Sequence, residues 1–287
     1  MKPAAFDYFC PESLGEAVAL LGGHGDEAKL LAGGQSLMPL LNFRMLRPGA
    51  LIDINRLSEL DFVAEHPGGL RIGALSRHHT LETSPLVRER FPVLSAAMAH
   101  VAHLAIRNRG TIGGSLSHAD PAAELPLLAV LLDAELRTRS AAGERRHLAA
   151  DFFLGPLTTA LGADEMVTEI VLPGLPPGTG WGFEEVALRD GDFAIAAVAA
   201  LVTVADGQIV AARLAAGGVD AVPRRLAAAE AALIGERPSA ELIALAGELA
   251  RGEVDPPSDL HASAGYRRHL VAALAERALS AAVERAG

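Results

Sequence analysis

Apolar and polar residues follow three different rhythms along the chain, and each rhythm marks a region. In the first, residues 1–56, Glu12 to Gly23 places apolar residues at helical spacing. Ser13 stands at the cap, Glu16 three residues on suggests a capping box, and Gly22-Gly23 predict the stop. Lys29-Leu30-Leu31-Ala32 predicts a short strand that runs into Gly33-Gly34-Gln35-Ser36. An apolar segment to Leu46 and a second strand, Leu51 to Ile54, complete a βαβ-like lobe.

The second rhythm covers residues 57–175. Gly68-Gly69 predicts a turn and Leu70 to Ile72 a strand. Helices are predicted over 80–90 and 92–105, the latter carrying His100 and His103. Gly110 breaks the pattern, and Thr111 to His118 reads as a small-residue loop. Asp120-Pro121 predicts a helix start with a run to Leu132, because Asp caps well and Pro suits the first helical position. Strands Glu135 to Arg139 and Met166 to Leu172 close the lobe, and Pro173 to Gly180 reads as a linker.

The third rhythm, residues 176–287, is β and then α. Trp181 to Leu188, Ala194 to Ala205 and Gln208 to Ala216 predict strands, with Asp206-Gly207 as a hairpin turn. Helices are predicted over 223–234, 239–251 and 263–285. The longest apolar run, Phe193 to Ala205, is too short to span a membrane, which needs ~18 apolar residues, and reads as a buried strand or helix.

Composition narrows the function. The chain has 287 residues, enough for about two domains and a small extra lobe. Its net charge of −10, without a basic tract, argues against nucleic acid or anionic membrane as partner. The single cysteine, Cys10, excludes an intramolecular disulfide and an iron–sulfur cluster held by four thiolates of this chain. Met1 to Cys10 lacks a charged region followed by an apolar run, so no signal peptide is read and a cytoplasmic location is expected.

Two segments carry the candidate chemistry: Ala32-Gly33-Gly34-Gln35-Ser36 and Thr111-Ile112-Gly113-Gly114-Ser115. Glycine lets a backbone approach a ligand closely, and successive N–H groups can form an anion-binding concavity. One double glycine is an ordinary turn; two, one in each lobe, fit a diphosphate gripped from both sides. Neither matches the phosphate-binding lysine loop or G-x-G-x-x-G. A capping box on the helix after Asp120 would want Glu at position 123, which is Ala123. Glu124 comes one residue late, leaving a carboxylate free for ribose hydroxyls. His78, His79, His100, His103 and His118 invite a metal reading, but no carboxylate or thiolate completes a set, so no metal site is expected.

AGGQSLMPLLNFRMLRPGALIDINRLSEL and IRNRGTIGGSLSHADPAAELP strongly resemble the FAD-binding medium subunit of the xanthine dehydrogenase family, in layout the carbon monoxide dehydrogenase type. The resemblance spans nearly the whole chain, including Arg189-Asp190-Gly191-Asp192-Phe193. It implies an α+β protein: a vanillyl-alcohol-oxidase-like (PCMH-type) FAD-binding fold of two subdomains, then a C-terminal domain of a small antiparallel sheet and helices. It also implies that both glycine segments clasp the pyrophosphate, with Lys29, Leu31 and Leu37 beside the first. Glu124 falls near ribose with Asp120 close by, and His118 lines the flavin cleft. Val101, Ala102, Val167 and Thr168 fall on the adenine or ribose side. Phe193 replaces a Tyr of several relatives; either it faces the flavin ring, keeping the aromatic face without the hydroxyl, or it is a core residue after a turn.

On this resemblance the chain is an oxidoreductase subunit without a catalytic acid, base or nucleophile of its own. Electrons would come from a molybdenum-pterin large subunit through [2Fe–2S] clusters of a small subunit, and leave FAD for an external acceptor. A dimer of heterotrimers is the implied assembly. Two rivals are a self-sufficient FAD-dependent oxidoreductase of the vanillyl alcohol oxidase type and a binding protein that has lost FAD. The Ala-rich third region, poor in pocket-forming aromatics, argues against the first, and the intact glycines against the second.

Overall fold

Three main sheets organise the chain in a computed structural model that describes residues 2–286. The first is parallel and three-stranded: Ala50–Asp53 lies between Asp7–Phe9 and Ala28–Leu31. Parallel neighbours need a crossover, supplied here by the helix Leu14–His24. Ser13 caps that helix by accepting from the Glu16 N–H at 3.2 Å. The box is not closed, because the Glu16 carboxylate accepts from the Glu12 N–H instead. Gly22 and Gly23 do not stop the helix, which runs through both and ends at Gly25. Ala17, Val18 and Leu21 form one buried stripe against Ala28, Ala50 and Ile52.

The second sheet has five antiparallel strands: Val63–His66, Gly69–Gly73, Met166–Pro173, Glu135–Ser140 and Gly143–Leu148, in that spatial order. The expected helix over 80–90 is two helices, His78–Thr83 and Pro85–Arg90, because Pro85 starts a new one under a Ser84 cap. The one expected over 92–105 stops at Met98, so His100 and His103 share no helix. Thr111 to His118 is not a loop: Ile112–His118 is helical, with Thr111 as its cap. The helix expected from Asp120 begins only at Glu124, and Asp120 caps a turn instead, its carboxylate accepting from the Ala122 N–H at 2.9 Å.

The third sheet is antiparallel, Thr179–Ala187, Ala194–Ala205, Gln208–Gly217 and Arg224–Arg225. Asp206 and Gly207 both take positive φ, 52° and 75°, as a tight two-residue hairpin requires. The helices Ala227–Leu233, Ala240–Gly252 and Ala264–Arg285 cover one face of this sheet. The opposite face, through Ala197, Ala199, Leu201 and Ala215, joins the core of the second sheet. Between them runs the helix Glu124–Leu131, every residue of which is buried. Burial of each such leucine contributes ~2 kcal/mol, so this helix fixes one region against the other. Among the described residues no helix is long and apolar enough to cross a membrane.

Candidate functional site

The two glycine segments lie against each other. A Cβ on Gly33 would overlap the Arg109 carbonyl and crowd Gly110, and one on Gly114 would sit 4.0 Å from the Ala32 side chain. Asn55 and Arg77 lock this joint. The Asn55 side-chain amide donates to the Ala32 carbonyl at 2.8 Å and to Asp53 at 2.6 Å. Arg77 donates to the Asn55 amide oxygen at 2.8 Å and to the Arg109 carbonyl at 2.5 Å. Burial works to raise the Asp53 pKa, but hydrogen bonds from Asn55 and Tyr8 overcome it and hold the carboxylate below its usual range.

The segments differ in their backbones. In the first, Gly34 takes φ +74°, and Gln35 folds back to donate to the Gly33 carbonyl at 2.7 Å. The N–H groups of Gly33, Gly34, Gln35 and Ser36 donate to no acceptor among the described residues. Lys29 and Leu31 lie on the strand entering this loop, and Leu37 opens the helix leaving it. In the second, the Ile112 N–H donates to Ser76, the Gly113 N–H to Ala74 at 2.9 Å, and the Gly114 N–H to the Thr111 hydroxyl at 3.2 Å. Gly113 is glycine because Ala74 presses on it, its Cβ position lying 2.6 Å from that of Ala74. The expected symmetric pair of open loops is therefore one open loop and one capped helical turn.

The remaining candidates divide between this joint and the seam to the third sheet. Thr168 sits at a bulge and its carbonyl accepts from Ala74, placing it behind Gly113; Val167 points into the core. The carbonyls of Val101 and Ala102 both accept from Arg107 at 3.0 Å, and Gly191 packs on Ala102. Ser115 and His118 lie on the helix that Thr111 caps. After it, the Pro121 and Ala122 carbonyls accept from Gly218 and Ala194, one residue beyond Phe193. Phe193 is 63% exposed, so it is not a core residue.

Charge collects at the seam. Glu124, beside Asp120, is buried, and burial pushes its pKa up to about 7. Glu185, on the first strand of the third sheet, is raised to about 8 by burial and then by Glu124. His78 is buried against Gly110 with neither ring nitrogen hydrogen-bonded among the described residues, and burial lowers its pKa to about 4. Asn55, Arg77 and Glu185 were not legible as site residues in the sequence. Arg77 and Glu185 stand outside both resemblance segments; Asn55 lies within the first, just after a strand that ends in Asp53, but no role was read for it.

The comparisons with known proteins agree with this layout. Residues 4–175 match the FAD binding domain in molybdopterin dehydrogenase, and residues 181–282 the CO dehydrogenase flavoprotein C-terminal domain. The 6-hydroxypseudooxynicotine dehydrogenase complex subunit alpha of Paenarthrobacter nicotinovorans is 42% identical, over 100% of this chain and 97% of its own. The carbon monoxide dehydrogenase medium chain of Hydrogenophaga pseudoflava is 36% identical over 98% of each. A solved carbon monoxide dehydrogenase structure from that organism superposes with a TM-score of 0.97 at 39% identity, covering 100% of both chains. The relatives are subunits of larger enzymes, which favours the multi-subunit reading over a self-sufficient oxidoreductase. The chain belongs to the family of FAD-binding medium subunits of the molybdenum hydroxylases.

Proposed function

We propose that the open loop Ala32–Ser36 holds the diphosphate of FAD through its backbone N–H groups, while Thr111 to Ser115 frames the opposite wall with side-chain hydroxyls. The observation that carries this reading is the run of undonated N–H groups beside a second segment whose own are occupied. Such groups form an anion-binding concavity, and Gly33 lets the two walls meet. Lys29, Leu31 and Leu37 shape the loop's flanks. Glu124 and Asp120 are set for sugar hydroxyls, His118 lines the cleft, and Val101, Ala102, Val167 and Thr168 border the adenosine side. Phe193, exposed beside the seam, presents its ring to the flavin and, having no hydroxyl, moves no proton there.

Bound FAD supplies the exchange between one- and two-electron transfer. This chain's residues bind it, orient it and fix it between the lobes that carry the two glycine segments, with the third sheet alongside. Electrons arrive from [2Fe–2S] clusters of a small partner subunit fed by a molybdenum-pterin large subunit, and leave for an external acceptor. The assembly is a dimer of heterotrimers in the cytoplasm. Residues 1–56 and 57–175 act as the two subdomains of a PCMH-type fold, and 176–287 as a separate C-terminal domain. FAD content of the purified full chain, read from flavin absorbance, tests the reading. Stoichiometric FAD in the wild type with none in Gly33→Val supports it, and full occupancy in the variant refutes the loop assignment.

A further inference from the structure

Glu185 is a charged side chain without an evident reason to be where it is. It stands on Thr179–Ala187, outside both glycine segments, with its side chain only 3% exposed. Its Oε2 is buried and has no hydrogen-bond partner among the described residues. Its Oε1 lies 4.0 Å from Nδ1 of His100, whose ring packs 5.0 Å from Phe183. A buried acid without a partner costs free energy, and native structures retain such groups where something else meets them. Glu185 stands in register with Ala197, on the face of the third sheet that shares one core with the helix Glu124–Leu131. From the start of that helix Glu124 raises the Glu185 pKa, and Asp120 in turn raises that of Glu124. The other charged groups bearing on this corner are Glu184 and Asp190, which act on His100. None of these supplies a fixed positive charge.

Two buried carboxyls without a counter-cation do not both ionise near neutral pH, so at least one keeps its proton. Such a pair offers both a hydroxyl donor and carboxylate acceptors, which suits a diol, since each alcohol group also donates and accepts. We propose that Glu185 is a second carboxyl of the nucleotide cleft, gripping sugar hydroxyls of the flavin nucleotide jointly with Glu124 from across the seam. This rests on the flavin reading above. It makes the third sheet part of the cofactor site, so that FAD retention depends on the C-terminal region as well as on the glycine segments. His100, held beside Glu185 by Phe183, limits where that carboxyl can turn.

The test is FAD titration of the apo full chain, followed by flavin fluorescence, between about pH 7 and pH 9. Wild-type affinity falls about tenfold across that range, as the two carboxyls lose their protons. Glu185→Ala weakens FAD about tenfold already at the lower end. Glu185→Gln, whose amide always donates, binds within about threefold of wild type there and loses the pH dependence. Wild-type affinity in Glu185→Ala, or an unchanged pH profile in Glu185→Gln, overturns the proposal while leaving the loop assignment standing. A wild-type chain that takes up no FAD at any pH overturns the flavin reading itself. If Glu185→Ala shows no cooperative unfolding, the Glu185→Gln profile decides alone.

Discussion

Ala32–Ser36 and Thr111–Ser115 share a double glycine, an adjacent hydroxyl and a place at the same joint, yet their backbones do opposite things. In the first, the N–H groups of Gly33, Gly34, Gln35 and Ser36 meet no acceptor among the described residues; the second uses those of Ile112, Gly113 and Gly114 on Ser76, Ala74 and Thr111. Their glycines differ too. Gly33 and Gly113 are small because backbone or Cβ atoms of Arg109 and Ala74 press on them, whereas Gly34 is there for its φ of +74°. A motif of one composition thus serves as an open cradle on one side and a rigid wall on the other. Hydrogen-bond accounting and backbone conformation together separate the two.

The comparison breaks most visibly at the joint itself. Gly33→Val forces a side chain into the Arg109 carbonyl, and FAD affinity is expected to fall more than about a hundredfold in fluorescence titration. Retained binding would mean the two walls need not touch.

Next in size is a pH effect on the wall that ends in Glu124. Glu124 and Glu185 have native pKa values raised to about 7 and about 8. Their contribution is fully present below the unfolded carboxyl range and is lost as pH rises through those values. In apo protein, Glu185→Gln is expected to recover about 2–4 kcal/mol of stability near pH 9 and little near pH 5. Thermal unfolding at the two pH values measures it; equal gains at both would mean the acid is not protonated in the native state.

Asn55→Leu removes the bridge from Asp53 and Ala32 to Arg77. The half-buried groups left unpaired are expected to cost about 1–2 kcal/mol in denaturant unfolding and to weaken FAD with it. Smallest is Thr111→Val, which deletes the cap on Gly114 and is expected to cost ~1 kcal/mol, with FAD affinity falling less than about tenfold. A loss there as large as that of Gly33→Val would put both segments on an equal footing and end the asymmetry.

What the sequence disclosed follows from how local each signal is. The strand Ala194–Ala205 and the Asp206-Gly207 turn were legible to the residue, because β-branched runs and paired positive φ are local demands. The positions of both glycine segments were equally clear, but not the helical state of the second. Thr111 as a cap was the available signal, overshadowed by two glycines, of which Gly113 has its helix cost offset by packing against Ala74. The strand Gly143–Leu148 was missed since Glu144, Arg145 and Arg146 give an edge strand with no apolar alternation. Glu185 was invisible because one acid in a strand means nothing until the helix Glu124–Leu131 is packed against that sheet. Asn55 and Arg77 likewise join the site through partners far along the chain, Ala32 and Arg109.

Amide hydrogen exchange of the full chain with and without FAD tests the asymmetry most directly. The account predicts that FAD slows exchange of Gly33, Gly34, Gln35 and Ser36 at least about tenfold, while Ile112, Gly113 and Gly114, already bonded in the apo protein, change little. Strong new protection at 112–114 with none at 33–36 would contradict it.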